Sequence, residues 1–484
     1  MPAEYHENNR PYSPKFIAEV SAQGYQDKDF AMTIGFPGST DRYLSSWGVQ
    51  QRIESINKPR IEVRGIKQEI WQKAMQSDDA IRIKYASKYA GSSNYWKNSI
   101  GMNRGLANLN VIERKQQEEE TFDRWAQSSD KKEQYGDVLN TLQEGYQSTY
   151  EKRKYLTYLS EAFANGAEII LLTRIFGQID NRNLSAIEIE KIMTDRIRPF
   201  FKDSEPELDK KVLAAMMKIV KERVPAEYLP DIYPEIDKKY KGDYERYAND
   251  LFAQTAILSE DKIIELLKNQ KKYDKYTQKD PAAQLSLSVI MTIMDIAQSV
   301  SDAEYEIMKG KRLYFAGLQE MYPDSTFYSD ANFTMRISYG SVGGYRPYDA
   351  AWYDHYTTEN GLLEKEDPSS HEFWLQPEII ELVQKRDFGK YANDNGELQL
   401  CFLSNNDITG GNSGSPVFDK NGRVIGLAFD GNWEAMSGDI AFEPDLQRTI
   451  SVDIRYVLWI IESWGKCPRI IRELKLNWVE RQPN

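Results

Sequence analysis

The chain has 484 residues, enough for two to four domains at about 150 residues per domain. Its net charge of −12, from 62 Lys and Arg against 74 Asp and Glu, disfavours a protein that binds nucleic acid through phosphate contacts. Two cysteines and three histidines exclude a disulfide-stapled scaffold and a Cys- or His-rich metal centre, so we expect no metal and no cofactor.

The beginning of the chain predicts two β-strands, over 16–20 and 30–36, the second of which ends at a Pro-Gly pair. Two strands cannot close a core alone. They must pair with strands elsewhere in this chain or with strands that it lacks. The N-terminus has no signal-peptide pattern, and no apolar stretch approaches the roughly 20 residues that a membrane helix needs.

Residues 41–325 predict a helical domain. Apolar side chains recur at spacings of three and four, which is typical of one buried helix face; the two clearest stripes are Leu156, Leu159, Phe163, Ala167 and Ile170, and Leu213, Met216, Val220 and Val224. We expect the second of these helices to begin with a capping box at Ser204 and Glu207 and to stop at Pro225.

Residues 326–484 predict a β-rich domain. Short strands are expected over 398–403, 415–418 and 423–429, with a hairpin turn at 419–422. Further on, 450–461 predicts a strand that runs into a helix, and 468–478 predicts an amphipathic helix. The order β, long helical block, β indicates a helical insertion into an all-β domain.

The segment 409–417, with sequence TGGNSGSPV, is the one motif with chemical potential. A serine between glycines on a tight loop exposes its Oγ, and the N–H groups of Gly411 and Ser413 can converge as an oxyanion hole. Such a serine needs a base, usually a His oriented by an Asp. The alternative is an ordinary turn. The length of the motif and its strand–loop–strand setting favour a chymotrypsin-type nucleophile loop over the strand-to-helix elbow of an α/β-hydrolase.

This motif and its flanks resemble the bacterial dipeptidyl-peptidase 7 and 11 family, serine exopeptidases of the chymotrypsin clan that release dipeptides from free N-termini. The matching segments are ITGGNSGSPVFDKNGRVIGLAFDGNWEAMSGDI, GFPGST at 35–40, SNYWKN at 93–98 and residues 330–340. The resemblance runs over essentially the whole chain. It implies an α+β fold with the end of a first chymotrypsin-like β-barrel at 1–40, an inserted α-helical domain at 41–325 and the second barrel at 326–484. It also implies a peptide substrate with a free N-terminus, a homodimer and a periplasmic or cell-surface location.

Site residues follow from the same resemblance, position by position. Ser413 matches the nucleophile, and the Gly411 N–H matches the oxyanion donor. Asp430 and Asn94 match residues that hold the α-ammonium of the substrate, a task that suits a carboxylate and an amide oxygen; a plain turn aspartate is the alternative for Asp430. Gly431 stands where an Arg in some members pairs with acidic P1 side chains. We therefore expect a hydrophobic P1 preference, as in the dipeptidyl-peptidase 7 members.

The family's catalytic His, in a His-His-Cys-Gly motif, and the Asp that follows it have no counterpart in this sequence. His6, His355 and His371 lie in polar or loop-like sequence, and we expect surface or loop positions for them. We therefore expect an N-terminally truncated member that is inactive alone. One alternative is a non-catalytic pseudo-peptidase that binds peptide N-termini through Asp430 and Asn94. A carbohydrate-active enzyme with Trp platforms and paired carboxylates is a third class, which no motif supports.

Overall fold

A computed structural model describes residues 6–10, 12–128, 130–179, 184–370 and 372–478. The chain forms two compact units. The first combines Met1–Arg42 with Tyr328–Asn484, and the second is Tyr43–Phe327. The expected boundaries of the helical domain, 41 and 325, differ from these bounds by two residues. The structure combines α-helices with an antiparallel-rich sheet, as the α+β expectation requires.

The second unit is helical in its described residues. Its α-helices are Ser46–Gln51, Lys58–Ser77, Asp79–Asn108, Val111–Ala126, Lys132–Tyr135, Val138–Leu159, Glu168–Gly177, Ala186–Ile192, Arg198–Asp203, Pro206–Arg223, Tyr233–Tyr240, Tyr244–Gln254, Glu260–Lys268, Gln270–Lys279, Pro281–Gln298 and Ser301–Met321. Shorter π-helical or 3-10 turns are Arg52–Asn57, Ser160–Ala164, Met193–Ile197 and Ala226–Tyr228. One large apolar core, from Val63 to Val300, joins many of these helices.

The first predicted apolar stripe is buried, as expected, but it does not lie on one helix. Helix Val138–Leu159 and its π-helical extension end before residue 165, and a new helix begins at Glu168. The buried Asp209 carboxylate accepts the N–H groups of Glu168 and Ile169, both at 2.7 Å. These bonds satisfy two of the free donors at the start of the new helix. The cap comes from a residue 40 positions away, so no local pattern predicts the break.

The predicted capping box at Ser204 is wrong by one residue. Helix Pro206–Arg223 has Glu205 as its N-cap, without a side-chain capping bond. Pro206 explains the difference, because proline favours the first helical position, where its missing N–H costs nothing. The helix ends at Arg223, just before Pro225, as predicted.

The first unit is built on one nine-stranded sheet. Its strands are β1 (Val20–Ser21), β2 (Phe30–Gly35), β3 (Arg336–Ser341), β4 (Tyr356–Thr358), β5 (Gln399–Ser404), β6 (Pro416–Phe418), β7 (Val424–Gly431), β8 (Thr449–Asp453) and β9 (Leu476–Asn477). The main path runs β3-β2-β6-β7-β8-β5-β4, and β1 pairs with β7 and β9 in parallel. An antiparallel bridge between Val342 and Ser404 joins the end of β3 to the end of β5. Six strands, β2, β3, β5, β8, β7 and β6, therefore close into a ring of pairings.

This topology corrects the expectation for residues 1–40. Strand β2 does not belong to a separate first barrel. It lies between β3 and β6 in the same sheet, with Ala31 opposite Gly340 and Thr33 opposite Val417. Of the two alternatives left open by the sequence, the strand thus finds its partners within this chain. The helical unit is inserted between β2 and β3 of one sheet.

Helices also occur in the first unit, so the expected all-β domain is only partly correct. They are Glu359–Glu364, Pro377–Gln384, Ile454–Trp459 and Pro468–Glu473, with turns Gly389–Tyr391, Trp433–Ser437 and Ile460–Trp464. Strand β8 runs into helix Ile454–Trp459, as predicted. The tail is helical only to Glu473, and β9 follows where a helix was expected.

Within the described residues, no single helix is long and apolar enough to cross a membrane. Helices Pro281–Gln298 and Ser301–Met321 satisfy length and composition only as a pair bent by 49°.

Candidate functional site

Ser413 lies on the loop between β5 and β6, and β6 begins three residues later. No helix follows the serine, so the strand–loop–strand setting predicted from the sequence is confirmed. The side chain is exposed, and its Oγ donates to the carbonyl oxygen of Phe429 at 3.4 Å. The Ser413 side chain therefore contacts β7 at Phe429, the residue before Asp430.

The backbone of this loop leaves two donors free. The N–H groups of Gly411 and Ser413 have no hydrogen-bond acceptor among the described residues. The next residue is anchored instead: the Gly414 N–H donates to the Ala428 carbonyl at 2.7 Å. Gly411 and Gly414 have φ of +108° and +83°, in the region that favours glycine. The loop thus carries two N–H groups without an acceptor among the described residues, within two residues of the Ser413 hydroxyl. Two such donors stabilise a developing oxyanion where they converge on it.

The end of strand β2 and the residues after it pack closely against this loop. A Cβ placed on Gly35 would lie 2.3 Å from Oδ1 of the buried Asn412, and one on Gly411 would lie 2.3 Å from the carbonyl oxygen of Phe36. The Gly38 N–H donates to the Gly410 carbonyl at 2.7 Å. Sequence reasoning missed this supporting role. The Gly-Phe-Pro-Gly segment at 35–38 was the available signal, because glycines permit close backbone approach.

Asp430 and Gly431 end strand β7, where a bulge between Ala428 and Asp430 shifts the register with β8. The Asp430 side chain is exposed, and its Oδ1 accepts the Gly431 N–H at 2.8 Å. A Cβ placed on Gly431 would lie 2.9 Å from the Cβ of Ala435, on the turn that follows. The structure therefore brings Ser413, Gly411, Asp430 and Gly431 to one region of the first unit.

Asn94 lies on helix Asp79–Asn108 of the second unit, with an exposed side chain. Its role in holding a substrate ammonium stays a prediction.

The histidines have other surroundings. His355 Nδ1 lies 2.8 Å from Asp354 Oδ1, and its ring packs against Tyr25 and Tyr356. His6 Nδ1 accepts the Asn8 N–H at 3.1 Å. His371 lies outside the described residues. In the part of the chain that the structure describes, no imidazole is hydrogen-bonded to Ser413.

Comparison with known proteins identifies close relatives. The Peptidase S46 family model matches residues 1–476. The chain is 56% identical to dipeptidyl-peptidase 7 of Porphyromonas gingivalis over 98% of its own length and 66% of the relative. It is 33% identical to an Asp/Glu-specific dipeptidyl-peptidase of Flavobacterium psychrophilum, over 98% of this chain and 67% of that one.

A solved structure has the same fold. The crystal structure of Porphyromonas endodontalis DPP11 in complex with the dipeptide Arg-Glu matches 99% of this chain and 69% of that chain, at 32% identity and a TM-score of 0.87. The chain spans 66% of the length of dipeptidyl-peptidase 7 of Porphyromonas gingivalis and 58% of the length of that of Porphyromonas endodontalis. The resemblance stated from the motifs is confirmed: this chain belongs to the Peptidase S46 family.

Proposed function

We propose that this chain carries the nucleophile and the substrate-binding residues of a serine dipeptidyl-peptidase with a chymotrypsin-like barrel. The observation that carries the proposal is the Ser413 loop. Its hydroxyl is exposed and donates to the carbonyl oxygen of Phe429, the residue before Asp430, and the N–H groups of Gly411 and Ser413 have no acceptor among the described residues. Membership of the Peptidase S46 family and relatives named as dipeptidyl-peptidases support it.

In the proposed reaction, Ser413 Oγ bonds to the carbonyl carbon of the second substrate residue, and its proton passes to a base. The carbonyl oxygen becomes an oxyanion that accepts the Gly411 and Ser413 N–H groups. The C–N bond then breaks, and the leaving amine takes the proton. Water hydrolyses the resulting acyl-enzyme and releases the dipeptide.

Asp430 is proposed to bind the free α-ammonium, which limits the product to two residues; the same role is proposed for Asn94 from the family resemblance alone. Hydrogen bonds between charged groups are stronger than neutral ones. A hydrophobic P1 side chain is proposed because Gly431 offers no cation to pair with a buried acid, which would then be costly to desolvate.

The proposed base lies outside the described residues, since no imidazole there is hydrogen-bonded to Ser413. Residues 1–484 contain no counterpart of the family's His-His-Cys-Gly motif, so we propose that protein made only of these residues hydrolyses peptides very slowly. Loss of the base costs on the order of a million-fold in kcat in a well-studied serine protease.

The experiment that tests this function needs no base. The ligands are the dipeptides Arg-Phe and Arg-Glu, which differ only at P1. Arg-Glu is chosen because Porphyromonas endodontalis DPP11 was crystallised with it. Isothermal titration of residues 1–484 should show binding of both, with Arg-Phe at least about tenfold tighter, a difference of ~1.4 kcal/mol. If neither dipeptide binds, the proposed function is contradicted. If Arg-Glu binds more tightly than Arg-Phe, the P1 preference is contradicted.

The alternative of a non-catalytic peptide binder predicts the same dipeptide affinities. It differs in predicting no peptide hydrolysis even when a segment with the catalytic base is joined to this chain. From the family resemblance we also propose a periplasmic or cell-surface location and a homodimer, which cell fractionation and analytical ultracentrifugation test.

A further inference from the structure

Arg42 joins two loops of the first unit that have no strand pairing with each other. Its guanidinium donates through both terminal nitrogens to the Asp407 carboxylate, with Nη2 at 2.7 Å from Oδ1. Its Nε donates to the Gly438 carbonyl at 3.1 Å. The guanidinium also stands over the Phe442 ring, 5.4 Å from the centroid.

Two of these partners, Asp407 and Gly438, lie close in sequence to residues of the candidate site. Asp407 precedes Ser413 by six residues on the same loop. Gly438 follows the turn Trp433–Ser437, whose Ala435 Cβ lies 2.9 Å from the place that a Cβ on Gly431 would take. The guanidinium therefore connects the loop that carries the nucleophile to the turn behind Gly431.

The chain on either side of Arg42 makes parallel connections. The Gly38 N–H donates to Gly410 on the nucleophile loop, and the Asp41 N–H donates to the Asp439 carbonyl, both at 2.7 Å. The Arg42 N–H and the Thr40 hydroxyl share Oδ1 of Asp330, at 3.1 and 2.6 Å. Residues 38–42 thus lie between the two loops and are bonded to both.

We propose that Arg42 is a positioning residue, which sets the spacing between the Ser413 loop and the turn behind Gly431 through Asp407 and Gly438. This inference rests on the proposed function, because its consequence is dipeptide affinity. A planar guanidinium binds a carboxylate through two parallel bonds and still has Nε for the carbonyl. A lysine ammonium is a point charge and cannot hold both partners in this geometry.

The test is a double-mutant cycle on dipeptide binding by residues 1–484. Arg42→Gln and Asp407→Asn should each weaken Arg-Phe about tenfold. The double variant should be no weaker than either single variant, because both changes remove one interaction. Arg423→Gln is the matched control: its ion pair with Glu19 at 3.1 Å is of similar exposure but lies on the β6–β7 hairpin. It should bind Arg-Phe like the wild type.

Two further readouts separate positioning from stability. Hydrogen exchange should be faster in both 405–415 and 432–440 in Arg42→Gln, while the thermal midpoint stays near that of Arg423→Gln. Where Arg42→Gln does not fold, Arg42→Lys is measured instead and should still weaken binding. Unchanged Arg-Phe affinity in the folded Arg42 variant overturns the inference, as does a lower thermal midpoint without a loss of affinity. Wild-type protein that binds no dipeptide overturns the proposed function and this inference together, whereas wild-type binding with additive variants overturns the inference alone.

Discussion

Replacement of Gly411 by alanine should disrupt the Ser413 loop for two separable reasons. The residue has φ of +108°, and a non-glycine residue forced into such a region costs about 1–3 kcal/mol. The added Cβ would also lie 2.3 Å from the Phe36 carbonyl oxygen, so the loop must move by roughly 1 Å to reach normal contact distance. Overpacking of this kind costs about 1–3 kcal/mol more. We expect a loss of about 3 kcal/mol, a fall of roughly 6–12 °C in the melting temperature of a unit of this size.

Gly422→Ala is the matched control for this prediction. Gly422 has φ of +74°, but an added Cβ would meet no heavy atom within 4 Å. This variant carries the strain alone and should lose about 1 kcal/mol. The assay is thermal unfolding of both variants, followed by titration of the folded proteins with Arg-Phe. Gly411→Ala should lose most of its affinity, because the displaced N–H no longer faces the dipeptide carboxylate. Equal melting temperatures for the two variants, or wild-type affinity in Gly411→Ala, would refute the reasoning.

Three further predictions concern charge. Asp430→Asn should weaken Arg-Phe by about 1.5–3 kcal/mol, the range for hydrogen bonds to charged groups, but leave N-acetyl-Arg-Phe unaffected; equal losses for the two ligands in the titration would contradict ammonium binding. Gly431→Arg should invert the preference between Arg-Phe and Arg-Glu, most clearly with Ala435→Gly to admit the new Cβ, and the same titration measures it; an unchanged order would count against the P1 assignment. Burial, with the nearby Glu168 charge, raises the pKa of Asp209 to about 7, against about 3.9 unfolded. The stability that this group contributes is therefore complete below about pH 4 and is lost as the pH rises through 7. Urea unfolding followed by circular dichroism should show this decline in the wild type and a flatter profile in Asp209→Asn, and parallel profiles would exclude Asp209 as the cause.

Local sequence predicted the elements around the serine well. The Asn421-Gly422 pair marks the tight turn between β6 and β7, where the Asp419 carboxylate accepts two backbone N–H groups. Turn residues, strand formers and glycines act over a few positions, so their patterns are visible in a short window. The exposed Ser413 between two glycines belongs to the same class of signal.

Long-range partners could not be predicted in the same way. Strand β2 pairs with β3 across the whole helical unit, with Gly35 opposite Arg336, and a period-2 pattern identifies a strand without naming its neighbour. The strand pattern leaves these partners open, and the first barrel expected for residues 1–40 is what the family resemblance implies. The cap that Asp209 gives to a helix 40 residues earlier, and the pairing of Arg42 with Asp407, are likewise tertiary contacts without a local signature.

The central claim is that Ser413 is an acyl nucleophile that needs a base which residues 1–484 do not supply. The direct test joins residues 1–484 to the part of Porphyromonas gingivalis dipeptidyl-peptidase 7 that this chain does not match. The assay measures the fluorophore that is released when the joined protein cleaves a dipeptidyl substrate with Phe at P1. Intact mass spectrometry after rapid acid quench looks for the acylated protein. We predict turnover in the joined protein, a dipeptidyl adduct on the peptide that contains Ser413, and loss of both in Ser413→Ala. A folded joined protein that binds Arg-Phe but shows no turnover would contradict the account. So would a Ser413→Ala variant that retains turnover.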